Sequence, residues 1–305
     1  MTGAILSPAI STVLAEEARR ADAAMQTILR RTLGRPASAL DAVLRYGTLW
    51  GGKRLRPALC VCSHRAAGGD DHPGVYEIAS ALEFIHAYSL LHDDLPCMDD
   101  DDLRRGRPAA HRVFGVPATL LAGAALIPIA CAAVTRAAQV MALAPGRASL
   151  LVRTLTRAAG AGGMIGGQVL DLGAEGRAAS VAKLHGIHSL KTGALLSAAA
   201  EMGALAAGAE PAVVRACSAY GLHVGLAFQI ADDVLEATSD AEALGKPVDG
   251  DASLAKSTFA ALLGVSAARE HAREQAEEAR AALAAAGIED PTLCALADYA
   301  VERDQ

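Results

Sequence analysis

Residues 91–106 read Leu-His-Asp-Asp-Leu-Pro-Cys-Met-Asp-Asp-Asp-Asp-Leu-Arg-Arg-Gly, and six of the ten positions from Asp93 to Asp102 are Asp. All six carboxyls would be ionised at neutral pH. Two like charges a few Å apart repel by roughly 1 kcal/mol in water and about 4 kcal/mol at an effective dielectric of 20, so a fold that makes them converge needs a cation. Oxygen-only ligands favour hard cations, and Mg²⁺ commonly joins one or two carboxylates to substrate phosphates. On a straight helix Asp93 and Asp99 would point roughly 240° apart. Pro96 interrupts that helix. The expectation is a helix that ends near Asp94, with Asp99 folded back toward the same cation. A solvated acidic loop or a weak Ca²⁺ site fits the stretch equally well by itself. The apolar run before it and a second acidic motif later weigh against both.

The run before it, residues 73–92, has apolar residues at helical spacing (Val75, Ile78, Ala79, Leu82, Ile85, Leu90) and delivers Asp93 and Asp94 at its C-terminal end. Anions there oppose the helix dipole, a cost that points to function rather than stability. His86 lies two turns before Asp94. The second acidic motif is Phe228-Gln229-Ile230-Ala231-Asp232-Asp233-Val234-Leu235-Glu236, inside an apolar helix over 213–237. Asp232 and Glu236 are four apart and share a face. Gly51-Gly52-Lys53-Arg54-Leu55-Arg56-Pro57 joins free backbone N–H groups to three cations ahead of a helix start, which suits a diphosphate or an ordinary surface turn.

Further helices are expected over 9–32, 38–48, 253–286 (with Lys256 near its start) and 291–301. The Gly-rich run 160–167 reads as a close approach or a loop, followed by Gln168 and Asp171 on one face. His185 and His188 form an HxxH pair with no further Cys or His ligand nearby, which disfavours zinc. Lys191-Thr192-Gly193 offers a cation and a hydroxyl to an anion. Lys246 stands beyond the second acidic motif.

Composition decides the fold class. Of 305 residues 52% are hydrophobic but only 3% aromatic. The core must therefore be built from Ala, Leu, Val and Gly, whose small side chains allow close helix packing. No repeat or linker divides the chain, so residues 1–305 are read as one all-α domain. A net charge of −6 gives no nucleic-acid footprint. Six scattered Cys fit reduced thiols in the cytoplasm, and no signal peptide is read at the N-terminus. The uncharged stretch 113–135 is long enough to cross a bilayer, but its two prolines and its Ala and Gly content favour a buried or subunit-interface helix over a membrane span.

Seven motifs in fixed order, GGKRLRP, HAYSLLHDDLPCMDDDDLRRG, GGQVLDL, KTG, FQIADDVLE, LGKP and KST, resemble those of the trans-isoprenyl diphosphate synthases, most nearly the bacterial farnesyl type. The resemblance implies a large antiparallel helical bundle around a central cavity, the isoprenoid synthase type I fold, in a cytoplasmic homodimer. It implies Mg²⁺, three ions, with Mn²⁺ able to substitute. Asp93 and Asp99 would hold ions on the allylic diphosphate with Asp94 in support, and Asp232, Asp233 and Glu236 would serve the third. Lys53, Arg56, His86 and Arg105 would bind isopentenyl diphosphate. Arg104, Lys191, Thr192, Gln229 and Lys246 would contact the allylic substrate, and Lys256 of the KST segment would also bind substrate. Inorganic diphosphate would be the second product.

Three positions depart from the family pattern: Glu236 replaces an Asp, Ala124 stands where relatives often carry Asp, and Phe259-Ala260 follows KST where Tyr-Pro is usual. Tyr88, five residues before Asp93, occupies the place where farnesyl-type relatives carry an aromatic that limits product length. Plain helix geometry puts Ser89 nearer the metal face. Geranyl and geranylgeranyl synthases of the same family are the alternatives. A class I terpene cyclase would not need a second diphosphate pocket, and a silent partner subunit would not need both Asp motifs.

Overall fold

A computed structural model describes residues 8–34, 39–177, 179–244 and 257–302. The described residues are almost entirely helical. The helices are α1 (Pro8–Leu33), α2 (Ala39–Thr48), α3 (Leu55–Ala66), α4 (Pro73–Asp93), α5 (Ala110–Phe114), α6 (Val116–Val140) and α7 (Pro145–Ala159), then α8 (Met164–Leu172), α9 (Val181–His188), α10 (Ala194–Ala206), α11 (Pro211–Leu244), α12 (Phe259–Leu263), α13 (Val265–Ala284) and α14 (Pro291–Glu302). One π-helical turn, Ser189–Gly193, joins α9 to α10. A two-residue hairpin, β1 (Leu103–Arg104) with β2 (Arg107–Pro108), closes the Asp-rich loop.

Helix α4 is the hub. It starts on Pro73, and the His72 ring accepts the Gly74 amide at 2.9 Å. It is apolar on nearly every side, so it packs against α1, α3, α6 and α10 at once. Phe84 and Ile78 on α4, Leu59 on α3 and Met25 and Leu29 on α1 are almost fully buried in one core. A smaller core of Leu184, Ile230, Val234, Phe259, Ala268 and Ala272 joins α9, α11, α12 and α13. Two buried ion clusters pin α1 to the hub: Arg54 binds Asp22, Glu83 and the Thr48 carbonyl, and Arg65 binds Glu17, which also accepts from Tyr76.

Several expectations need revision. The single helix over 253–286 is two, α12 and α13, because Gly264 turns the chain at φ +80°; residues 253–256 lie outside the described residues. The Gly-rich run is a turn followed by α8, not a loop throughout. The short α5 and the hairpin had no periodic signal. The uncharged stretch becomes α5 and α6. Among the described residues one helix, α6, is long and apolar enough to cross a membrane, and 44% of its apolar window is buried inside the bundle. Val116, Leu120 and Leu121 remain exposed on it, as does Ala124. The loss of an Asp at 124 therefore costs the core nothing.

Candidate active site

Pro96 has the effect expected of it. Helix α4 stops at Asp93, and the chain doubles back so that the Asp99 amide donates to the Asp93 carbonyl at 2.8 Å. The two carboxylates are brought to one end of α4, and each adds to the other's repulsion. Burial and Asp99 push the Asp93 carboxyl up to about 6, against the opposing pull of Lys191. Asp94 turns the other way. It is 3% exposed and is gripped by Arg104, which also donates to Asp101 at 2.9 Å. Arg104 and Arg105 line a small pocket of about 50 Å³ beside Asp94 rather than the main cavity.

The main cavity, about 350 Å³, is walled by α4, α6, α8 and the π turn. It brings together Arg56, His86, Tyr88, Ser89, Asp93, Lys191 and Thr192 from the sequence-derived set. Met164, Ile165, Val169 and Leu172 on α8 make the opposite wall apolar. Inside it, both amide atoms of Gln168 are buried with no partner among the described residues, and so is Nε of Arg56. Buried polar groups seldom stay unpaired, so these atoms point to a polar ligand.

The cationic side of the cavity is set by what is already neutralised. Arg54 is spent on Asp22 and Glu83. The Arg56 Nε has no partner among the described residues, and Arg105 donates to the Gly51 carbonyl at 2.7 Å. Lys53 is exposed, with its ammonium 5.8 Å from the Phe228 ring of α11. Burial together with Arg56 and Arg105 drives the His86 imidazole well below its usual value, so it is neutral at pH 7.

The π turn links the two acidic motifs. Such turns often occur at functional sites. This one presents Lys191 and Thr192 on successive positions. The Lys191 ammonium lies 2.5 Å from the Asp171 carboxylate of α8. The Thr192 hydroxyl donates to Gln229 Oε1 at 2.9 Å, and Gln229 Nε2 donates to Asp233 at 3.3 Å. The other Asp233 oxygen accepts the Phe259 amide at 2.9 Å. Burial nevertheless pushes Asp233 up to about 6. Within the motif, Asp233 faces inward at 5% exposure, Asp232 is half-buried and Glu236 is exposed. Gly167 lets α8 approach the π turn, since a methyl there would lie 2.2 Å from the Lys191 amide.

Two partners escaped the sequence reading. Asp171 was visible as part of GGQVLDL, but nothing in the spacing tied it to Lys191, 20 residues away. The Phe259 amide as a support for Asp233 had no sequence signal. Lys246 and Lys256 lie outside the described residues. Among the described residues no three acidic, His or Cys side chains stand close enough to hold an ion by themselves. Oxygen-only donors in pairs, with raised carboxyl pKa values beside orphaned donors, fit a divalent cation that arrives with a phosphate.

The polyprenyl synthetase family profile matches residues 37–289. The farnesyl diphosphate synthase of Escherichia coli is 43% identical over 266 residues, 86% of this chain and 88% of that protein. The chloroplastic geranylfarnesyl diphosphate synthase of Leucosceptrum canum is 42% identical over 87% of this chain and 73% of its own. A solved geranyltransferase from Legionella pneumophila superposes with a TM-score of 0.84 at 31% identity, over 97% of both chains. The chain belongs to the polyprenyl synthetase family of prenyltransferases.

Proposed function

We propose that this prenyltransferase condenses isopentenyl diphosphate with dimethylallyl and then geranyl diphosphate to give farnesyl diphosphate. The observation that carries the reading is the π turn, whose Lys191 acts on Asp93 while Thr192 leads through Gln229 to Asp233. Asp93 and Asp99, with Asp94 behind them, and Asp232, Asp233 and Glu236 would hold Mg²⁺, three ions, with Mn²⁺ able to replace them. Bound there, the ions supply positive charge to a departing diphosphate.

The chain's own residues do the rest. Lys191 and Thr192 hold the allylic diphosphate so that its C1–O bond can break with the electron pair leaving on oxygen. Arg56 and neutral His86 in the cavity wall, with Arg105, whose charge acts on His86, and exposed Lys53, hold isopentenyl diphosphate, whose double bond attacks C1. A proton is then lost from the adduct to the departing diphosphate. The apolar wall of α8 excludes water from the allylic cation.

Family likeness does not choose product length, since the farnesyl and geranylfarnesyl relatives are equally near. The Tyr88 ring in the cavity wall favours fifteen carbons. The exposed apolar side chains of α5, α6 and α8 outside the cavity (Val113, Val116, Leu121, Leu170) support a homodimer, and we read the protein as cytoplasmic. The test is product analysis of purified protein with both substrates and Mg²⁺. Farnesyl diphosphate is expected. No product, or turnover of the allylic diphosphate without isopentenyl diphosphate, overturns the reading. The latter result would indicate a cyclase.

A further inference from the structure

Tyr88 and His92 stand one turn apart on α4, and both line the main cavity. Their rings meet edge to face, centroids 4.8 Å apart and planes at 76°. His92 is in turn fixed by α6. Its Nε2 lies 3.0 Å from the Leu120 carbonyl oxygen; a carbonyl only accepts, so Nε2 carries the proton. The ring fills the notch left by Gly123, where a methyl group would lie 2.3 Å from Nε2. A chain of contacts thus runs from α6 through an imidazole to the Tyr88 ring in the wall of the cavity.

We propose that His92 is a positioning residue for product length: anchored on Leu120 and seated in the Gly123 notch, it holds the Tyr88 ring across the path of the growing chain. This rests on the reading of Tyr88 as the cavity floor. Tyr88 and Ser89 occupy neighbouring positions on one helix, so a modest swing of the ring changes how much room remains beyond them. The swing is limited on the α6 side by the imidazole. Gly123 is then a specificity position although it never reaches substrate. Any side chain there meets the His92 ring and displaces the clamp.

The experiment compares wild type, Tyr88→Ala, His92→Ala and Gly123→Ala. Each is incubated with dimethylallyl and isopentenyl diphosphates, and the products are resolved by chain length. Tyr88→Ala is expected to give products longer than fifteen carbons, which tests the floor itself. His92→Ala and Gly123→Ala are each expected to raise the ratio of twenty- to fifteen-carbon product by about tenfold, the scale of one lost aromatic pair contact. The melting temperature and apparent kcat of Gly123→Ala separate this from loss of folding, which would lower both and leave the ratio alone. If Tyr88→Ala lengthens the product while either of the other variants leaves the ratio unchanged, the clamp is wrong and the floor stands. If Tyr88→Ala leaves length unchanged, the floor falls and the clamp with it.

Discussion

The Lys191 ammonium and the Asp171 carboxylate are 2.5 Å apart across the junction of α8 and the π turn. The pair is half-buried, and it aims a lysine that also acts on Asp93. Replacing Lys191 by Ala removes a charge that holds the allylic diphosphate and matters most as the diphosphate departs. A fall in kcat of roughly 10²–10³-fold is expected. Asp171→Asn keeps the cation and loosens its aim, so a smaller fall, about tenfold, should follow. Steady-state kinetics on the two variants measures both.

The two arginines of the GGKRLRP motif should separate cleanly. Arg54 is 4% exposed and satisfies Asp22, Glu83 and the Thr48 carbonyl. Its loss leaves Glu83, itself 3% exposed, as an uncompensated buried charge. Arg54→Ala is expected to cost about 3–5 kcal/mol of stability. Arg56 has an unpartnered Nε at the cavity wall. Arg56→Ala should leave the melting temperature nearly unchanged and raise the KM for isopentenyl diphosphate by tenfold or more, since a charge-assisted contact to phosphate is among the stronger hydrogen bonds. Thermal melts beside kinetics distinguish the two.

That division shows where sequence reasoning works and where it stops. The break at Pro96 and the return of Asp99 were legible because proline acts locally. The shared face of Asp232 and Glu236 was legible because helical period is local as well. That Arg54 serves the fold while Arg56 serves the cavity could not be read, because Asp22 and Glu83 come from α1 and α4. The same holds for Lys191 with Asp171, and for Asp233 with the Phe259 amide. The break at Gly264 was missed because an Ala-rich sequence on both sides gives one continuous helical pattern, which a single positive-φ glycine overrides.

Gly167→Ala isolates the approach of α8 to the π turn. Alanine favours a helix over glycine by about 1 kcal/mol. Here its methyl would meet the Lys191 amide at 2.2 Å, and backbone cannot swing aside as a long side chain can. The π turn must shift, taking Lys191 and Thr192 with it. Loss of kcat comparable to Lys191→Ala is expected, with helix content by circular dichroism unchanged.

The acidic motifs predict an inverted relation between stability and activity. The Asp93 and Asp233 carboxyls each rise from an ordinary 3.8 to about 6, chiefly through burial. Below about pH 4 both are protonated in the folded and unfolded chains alike, and they carry no penalty. As pH rises through 6 the folded chain must ionise groups that the unfolded chain ionises more easily, so this contribution to stability is lost and stays lost at pH 7.5. Each unit of such a shift corresponds to about 1.4 kcal/mol. Asp93→Asn should therefore melt several degrees above wild type at pH 7.5 without metal, and the gap should narrow toward pH 4. Adding Mg²⁺ with a bisphosphonate should reverse the order, because wild type gains ligands for its buried charge and the variant does not. Calorimetry across pH, with and without both additives, reads each arm. A variant that melts below wild type at pH 7.5 in the absence of metal would show that the Asp93 charge is already satisfied within the protein, and that no cation is needed there.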